Sequence, residues 1–180
     1  MNEAETRAEH IDPALAAAGW GVVEGSRIRR EYPITLGRIE GAGRRGKALS
    51  ADYVLEYRNT KLAVVEAKAW AKPLTEGVGQ AKNYAGKLAL RFAYAGNGQG
   101  VYGIDMEIGA EGELARYPSP EELWRRYRKA KGLSAEAEKV VTQDYYTDGS
   151  GKTPRYYQLN AINRAVEAVA KEQARILLVM

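Results

Sequence analysis

The chain has 180 residues, enough for one full domain but short for two, and its 45% hydrophobic and 28% charged residues make the balance of a globular protein. It carries no cysteine and a single histidine, His10, which excludes disulfides, thiolate chemistry, iron–sulfur clusters, cysteine zinc sites and multi-histidine metal centres. The net charge of +4 permits a nucleic-acid partner without demanding one, and any chemistry falls to carboxylates, lysines, tyrosines and hydroxyls.

No stretch approaches the roughly 18 apolar residues that span a membrane. The acidic start lacks a signal-peptide core, so a cytoplasmic protein is expected. Residues 2–18 read as a helix, with Ala4, Ala8, Ile11, Leu15 and Ala18 forming one apolar stripe. Glu3 and Arg7 are spaced to pair along it, Gly19 would cap it, and Pro13 would kink or split it. Strands are expected at residues 20–23 and 27–36, the second exposed and basic. The glycine-rich stretch 37–47 reads as a mobile basic loop. Residues 51–57 and 61–68 read as paired strands turning at Asn59-Thr60. A helix over 74–90 leads to a strand at 92–95, and Asn97-Gly98 turns the chain back into a strand at 101–105. Ser-Pro-Glu-Glu opens a helix over 119–131. Residues 132–153 read as a linker, residues 154–173 as a last helix, and residues 175–180 as the start of an apolar strand. A chain that stops inside a strand is expected to be part of something longer.

Charge is unevenly spread. Residues 1–25 carry a balance of −4 and residues 26–47 one of +5, the latter from Arg27, Arg29, Arg30, Arg38, Arg44, Arg45 and Lys47 against Glu31 and Glu40. A second basic run is Arg125, Arg126, Arg128, Lys129 and Lys131.

The residues able to carry chemistry gather around the middle strands. In extended chain Glu66 and Lys68 project to one face, and hairpin pairing would bring Asp52 to the same place. Two carboxylates converging on one point repel unless a cation joins them, and hard oxygen ligands favour Mg²⁺ or Mn²⁺. A lysine beside that cation can position a water or stabilise charge on a phosphate. The set suits metal-assisted phosphodiester hydrolysis. Spacing alone equally fits an exposed strand face or a cross-strand ion pair. The buried-strand run Ala63-Val64-Val65 before Glu66, and Gln80 and Tyr84 on one face of the following helix, favour the chemical reading.

Ala51-Asp52-Tyr53, Val65-Glu66-Ala67-Lys68 and Gln80-x-x-x-Tyr84 together resemble the motif set of PD-(D/E)xK nucleases in their RecB-like branch, with Ala51 in place of the motif's proline. More narrowly, the chain resembles the N-terminal nuclease domain of the restriction subunit of type I restriction enzymes. Glu3-Ala-Glu-Thr-Arg7, Ile11-Asp12-Pro13, Ala18-Gly19-Trp20, Gly46-Lys47, Asn97-Gly98 and Tyr117-Pro118-Ser-Pro120 to Trp124 carry that likeness in order. The resemblance implies an α/β fold of the restriction-endonuclease kind, a central mixed sheet flanked by helices. It implies that Asp52, Glu66 and the Ala67 carbonyl bind Mg²⁺, with Mn²⁺ able to substitute, that Lys68 assists the attacking water, and that Gln80 and Tyr84 support the site. Glu3 is a further candidate ligand on the first helix. Arg44, Arg45 and Lys47 would contact DNA phosphates. The implied activity is non-specific cleavage of double-stranded DNA, with modification and specificity subunits as partners. The rivals are a non-catalytic DNA-binding or docking module that kept the fold, and a freestanding nuclease.

Asp148-Gly-Ser-Gly-Lys152-Thr153 tempts a phosphate-loop assignment, but Tyr146 stands where the first glycine belongs and no buried strand precedes it. Pro154-Arg-Tyr-Tyr-Gln158, a helix and the apolar tail instead resemble the start of a superfamily 2 helicase motor. Gln158 would there contact a nucleotide base, and ATP would be used only by the full-length parent. The expected layout is therefore a nuclease domain at 1–131, a linker at 132–153 and the beginning of a motor at 154–180.

Overall fold

The computed structural model describes residues 1–35, 48–145, 149, 151 and 154–177, and the backbone of 39–40 and 44–45. The chain opens with a helical arm of α1 (Glu3–Thr6), a π-helical turn (Arg7–Ile11) and α2 (Asp12–Ala17), and Asn2 caps it through a capping box with Glu5. Pro13 has no N–H and would crowd the carbonyl four residues back, so the helix widens just before it and the Asp12 N–H donates to the Arg7 carbonyl. The extra residue rephases the buried face to Thr6, Ile11 and Leu15, leaving Ala4 and Ala8, expected inside, exposed. The strand expected at 20–23 is a turn instead. Gly19 starts it at φ 100°, and Trp20 is fully buried with its Nε1–H donating to the Pro118 carbonyl at 2.8 Å.

Strand β1 (Ser26–Thr35) runs antiparallel to β4 (Leu49–Tyr57). Between them β2 (Ile39–Glu40) and β3 (Arg44–Arg45) pair with each other, so the stretch 37–47, expected as a mobile basic loop, holds a short ladder. Residues 37–38, 41–43 and 46–47 of that stretch, Lys47 included, lie outside the described residues, as does residue 36 at the end of the expected strand. β4 turns into β5 (Thr60–Ala67) through Arg58 and Asn59, at φ 50° and 60°. Two positive φ angles make the two-residue hairpin turn that suits strand twist, one residue earlier than expected.

A single 3₁₀ turn (Leu74–Gly77) and α3 (Val78–Leu88) cross over to β6 (Phe92–Gly96), which joins β5 in parallel. β7 (Val101–Asp105) and β8 (Glu111–Leu114) complete a six-stranded mixed sheet in the order β1-β4-β5-β6-β7-β8. Glu-Gly-Glu-Leu has little strand propensity, and β8 was not expected; it holds only as an edge paired to β7. Next come α4 (Pro120–Lys131), capped by Ser119 and Glu122, then α5 (Ala135–Val141) and α6 (Tyr156–Ala170). α5 lies within the stretch expected to be a linker. The expected final strand is not formed at 175–177, and residues 178–180 lie outside the described residues.

Both sheet faces are covered. On one, Tyr53, Leu55, Val65 and Tyr94 pack against Ile11 and Leu15 of the arm and Leu123 and Trp124 of α4. On the other, Val54, Val64, Ala93 and Ile104 pack against Ala81, Tyr84, Ala85 and Leu88 of α3. The second basic run is largely absorbed by structure: Arg126 pairs with Asp105 at 2.9 Å, Arg128 with Glu138 at 2.9 Å and Lys131 with Glu167 at 3.2 Å. Burial alone would raise the Asp105 pKa, yet it is lowered, because Arg91, the Glu107 N–H and Arg126 all donate to its carboxylate. Replacing it leaves two guanidinium groups facing each other. Asp105→Asn is therefore expected to destabilise the protein by about 3 kcal/mol in urea denaturation; a loss under about 1 kcal/mol would make this a surface-grade pair.

Candidate active site

The site forms where the β4–β5 hairpin opens. Tyr53 and Val65 are its last paired residues, and Asp52 and Glu66 are the next on each strand. From there β5 continues only with β6, Glu66 beside Ala95 and Ala67 beside Gly96. The Ala67 N–H turns to the Asp52 side chain, donating to Oδ2 at 2.7 Å. A carboxylate so held has its rotamer fixed by the sheet itself.

Glu66 lies on the α3 side with its side chain 3% exposed. Lys68, two residues on, donates from Nζ to Glu66 Oε1 at 3.2 Å and to Gln80 Oε1 at 3.1 Å. Gln80 in turn donates from Nε2 to the Tyr84 hydroxyl at 3.0 Å. Gln80 and Tyr84 are one turn apart on α3, and Tyr84 is packed into the core beneath it. The ammonium is thus held between a strand carboxylate and a helix amide that is itself anchored.

Glu66 Oε2 is buried and has no hydrogen-bond partner among the described residues. Burial, then repulsion from Asp52, push the Glu66 pKa up to about 8, and Lys68 offsets only part of this. A buried oxygen without a donor beside a second carboxylate is the arrangement a cation would relieve, and the donors are hard oxygens, so the residues present fit a small divalent metal. Among the described residues no three acidic, histidine or cysteine side chains converge. The protein would therefore supply two carboxylates and a carbonyl, a number that suits Mg²⁺, which keeps several waters.

The other expected residues fall elsewhere. Glu3 is exposed in the first turn of α1 and is not gathered with Asp52 and Glu66. Nor does it pair with Arg7. That guanidinium is instead drawn to Glu31, to the Tyr53 hydroxyl at 3.3 Å and towards Asp52 at 3.6 Å, a partly buried set that outweighs an exposed helical pair worth only a few tenths of a kcal/mol. Arg44 and Arg45 form β3, and Lys47 lies outside the described residues. Gln158 is exposed on α6, where its side chain accepts the Arg155 N–H at 2.8 Å. Arg7, Glu31 and Tyr53 were not among the expected site residues. Nothing along the chain marks Arg7, because its partners Glu31, Tyr53 and Asp52 reach it from the sheet.

No family model matches the chain. It is 41% identical over its whole length to the type I restriction enzyme EcoAI endonuclease subunit of Escherichia coli, covering 23% of that protein. A solved fragment, described as from an HsdR subunit of a type I restriction enzyme of Vibrio vulnificus YJ016, matches all of the chain at 38% identity and a TM-score of 0.89. The homologues of this chain are type I restriction endonuclease subunits. The fold is accordingly the restriction-endonuclease-like α/β fold expected from the sequence. The chain spans about a quarter of the curated homologue and 35% of the solved one.

A group whose folded pKa lies above its ordinary value of 4.5 stabilises the fold fully below that value, and the contribution is lost as pH rises through about 8. In EDTA, wild-type protein is therefore expected to lose roughly 5 °C or more of melting temperature between pH 5.5 and 8.5 relative to Glu66→Gln. Parallel curves for the two proteins would show that Glu66 carries no such strain.

Proposed function

We propose that this chain is the nuclease module of a type I restriction enzyme and hydrolyses phosphodiester bonds of double-stranded DNA with a divalent metal. What supports the reading most is the convergence of Asp52 and Glu66 beside a lysine held from both sides. Asp52, Glu66 and the Ala67 carbonyl would hold Mg²⁺ or Mn²⁺, which supplies charge neutralisation at the phosphate and a more acidic bound water. Asp52 is oriented for this by the Ala67 N–H, and Glu66 by Lys68. The Lys68 ammonium donates to the attacking water and holds it in line, or faces the charge that grows on the phosphate. Gln80 sets where Lys68 points, and Tyr84 fixes Gln80.

Arg44, Arg45 and Lys47 would add phosphate contacts from the basic stretch before β4. The parent protein would carry the rest of the homologue's length, including an ATP-driven motor beginning near Gln158, and would assemble with modification and specificity subunits in the cytoplasm. No helix among the described residues is long and apolar enough to cross a membrane.

Mn²⁺ titration followed by water-proton relaxation should give saturable binding that Asp52→Asn abolishes. Nicking of plasmid DNA in Mg²⁺ should fall at least about a hundredfold in Lys68→Ala with the melting temperature kept. DNA binding without metal binding or nicking would identify a docking module instead. In a separate assay, Arg44→Gln with Arg45→Gln should lower the slope of log affinity against log salt by about 2, and an unchanged slope would remove that stretch from the DNA interface.

A further inference from the structure

Arg7 and Glu31 stand beside the carboxylate pair, and the hydrolytic mechanism above uses neither. Arg7 comes from the π-helical turn and its side chain is only 18% exposed. The inner part of its guanidinium is fixed, with the group over the Tyr53 ring at 4.9 Å from the centroid and Nε donating to the Tyr53 hydroxyl at 3.3 Å. Nη1 looks the other way, donating to Glu31 Oε1 and lying 3.6 Å from Asp52 Oδ1. One NH₂ group therefore lies between a site carboxylate and a second carboxylate on its solvent side, since Glu31 is 61% exposed where Asp52 is 13%.

Glu31 is an unusual residue to find there. It sits in β1 between Arg30, paired with Tyr53, and Tyr32, paired with Ala51, and is thus opposite Asp52. Its φ is 48°, a left-handed conformation that a glutamate inside a strand adopts only at a cost in backbone energy. An ion pair with so exposed a partner stabilises too little to offset that cost. The strain delivers a carboxylate to the open side of Arg7 and little else. Carboxylate and phosphate oxygens are alternative partners for a guanidinium fork. If Glu31 leaves, Tyr53 still holds Arg7 in place.

We propose that Arg7 is a phosphate-binding residue of this nuclease centre and that Glu31 is its placeholder, displaced when a DNA phosphate arrives. This rests on the nuclease reading for its setting. A phosphate taking the place of Glu31 on Nη1 lies next to Asp52, so the same contact draws the backbone of the duplex to the carboxylate pair.

The test is duplex binding by fluorescence anisotropy in EDTA at several salt concentrations, with melting temperatures taken for each variant. Glu31→Gln removes the charge, and Glu31→Gly removes the side chain while suiting the backbone. Both should tighten binding roughly threefold to tenfold. Arg7→Gln should weaken it about tenfold and lower the salt slope by about 1, and Arg7→Lys should restore the slope with only part of the affinity. In the Arg7→Gln background, Glu31→Gln should no longer tighten binding, which separates displacement from a general loss of negative charge. Unchanged or weaker binding by both Glu31 variants overturns the proposal, as does tightening that persists without Arg7 or the absence of duplex binding. If Arg7→Gln fails to fold, the two Glu31 variants and Arg7→Lys decide the matter. The readout needs neither metal nor cleavage, so failure of the nuclease reading would show separately, as wild-type protein that binds DNA but never nicks it in Mg²⁺.

Discussion

The hydrogen bond from the Ala67 N–H to Asp52 is the contact on which the site depends. Up to Tyr53 and Val65 the two central strands bond to each other as an ordinary hairpin. Beyond that point a side chain takes the donor. The exchange costs the sheet no unsatisfied amide, and it lets the strands part without fraying. Because β5 keeps its other neighbour, β6, the opening is rigid on one side. Asp52 and Glu66 are thereby held next to each other in a place neither would occupy in a free chain.

α3 converts that opening into a directed site. Its buried face of Ala81, Ala85 and Leu88 docks on Val54, Val64 and Ala93. Small residues there bring the helix close to the strand ends. Gln80 and Tyr84 then fall within reach of Lys68, and the polar chain from Tyr84 through Gln80 and Lys68 to Glu66 runs from core to strand end without a break. A lysine carries several freely rotating bonds, and two acceptors on two different elements remove most of that freedom before any ligand binds.

How legible this was depended on whether a feature was local. The central hairpin, the crossover helix and the carboxylate–lysine set follow from strand alternation and helical spacing, and the motif order pointed to the family. The π turn before Pro13 was half legible: the proline announced a break, but whether the helix would kink or widen was settled by packing of Ile11 and Leu15. Residues 20–23 looked like a strand because Trp20 is apolar, yet its partner is the Pro118 carbonyl, distant in sequence. β8 exists only through β7. α5 had its Ser134 cap and alternating Ala-Glu run, but seven residues amid glycine and serine gave too weak a period to stand out. Arg7 was assigned to Glu3 because that neighbour is visible along the chain, whereas Glu31, Asp52 and Tyr53 meet it only in the folded sheet.

Charged groups in this interior are of two kinds, and the contrast bears on function. Asp105 is 3% exposed and takes hydrogen bonds from Arg91, Arg126 and the Glu107 N–H. Glu138 likewise gathers Arg58, Arg128 and the Trp124 indole. These clusters are complete and need nothing from outside. Glu66 is as deeply buried but leaves Oε2 without a donor and faces another carboxylate. Among the described residues two other buried side-chain oxygens lack partners, Asp12 Oδ1 and the Tyr117 hydroxyl, but Asp12 has Arg30 on its second oxygen and Tyr117 is neutral. A fold able to satisfy Asp105 from several directions has the means to do so for Glu66. It uses Lys68 on one oxygen and leaves the other bare, the arrangement that the proposed divalent cation would complete, at a cost in stability that the proposed chemistry would explain.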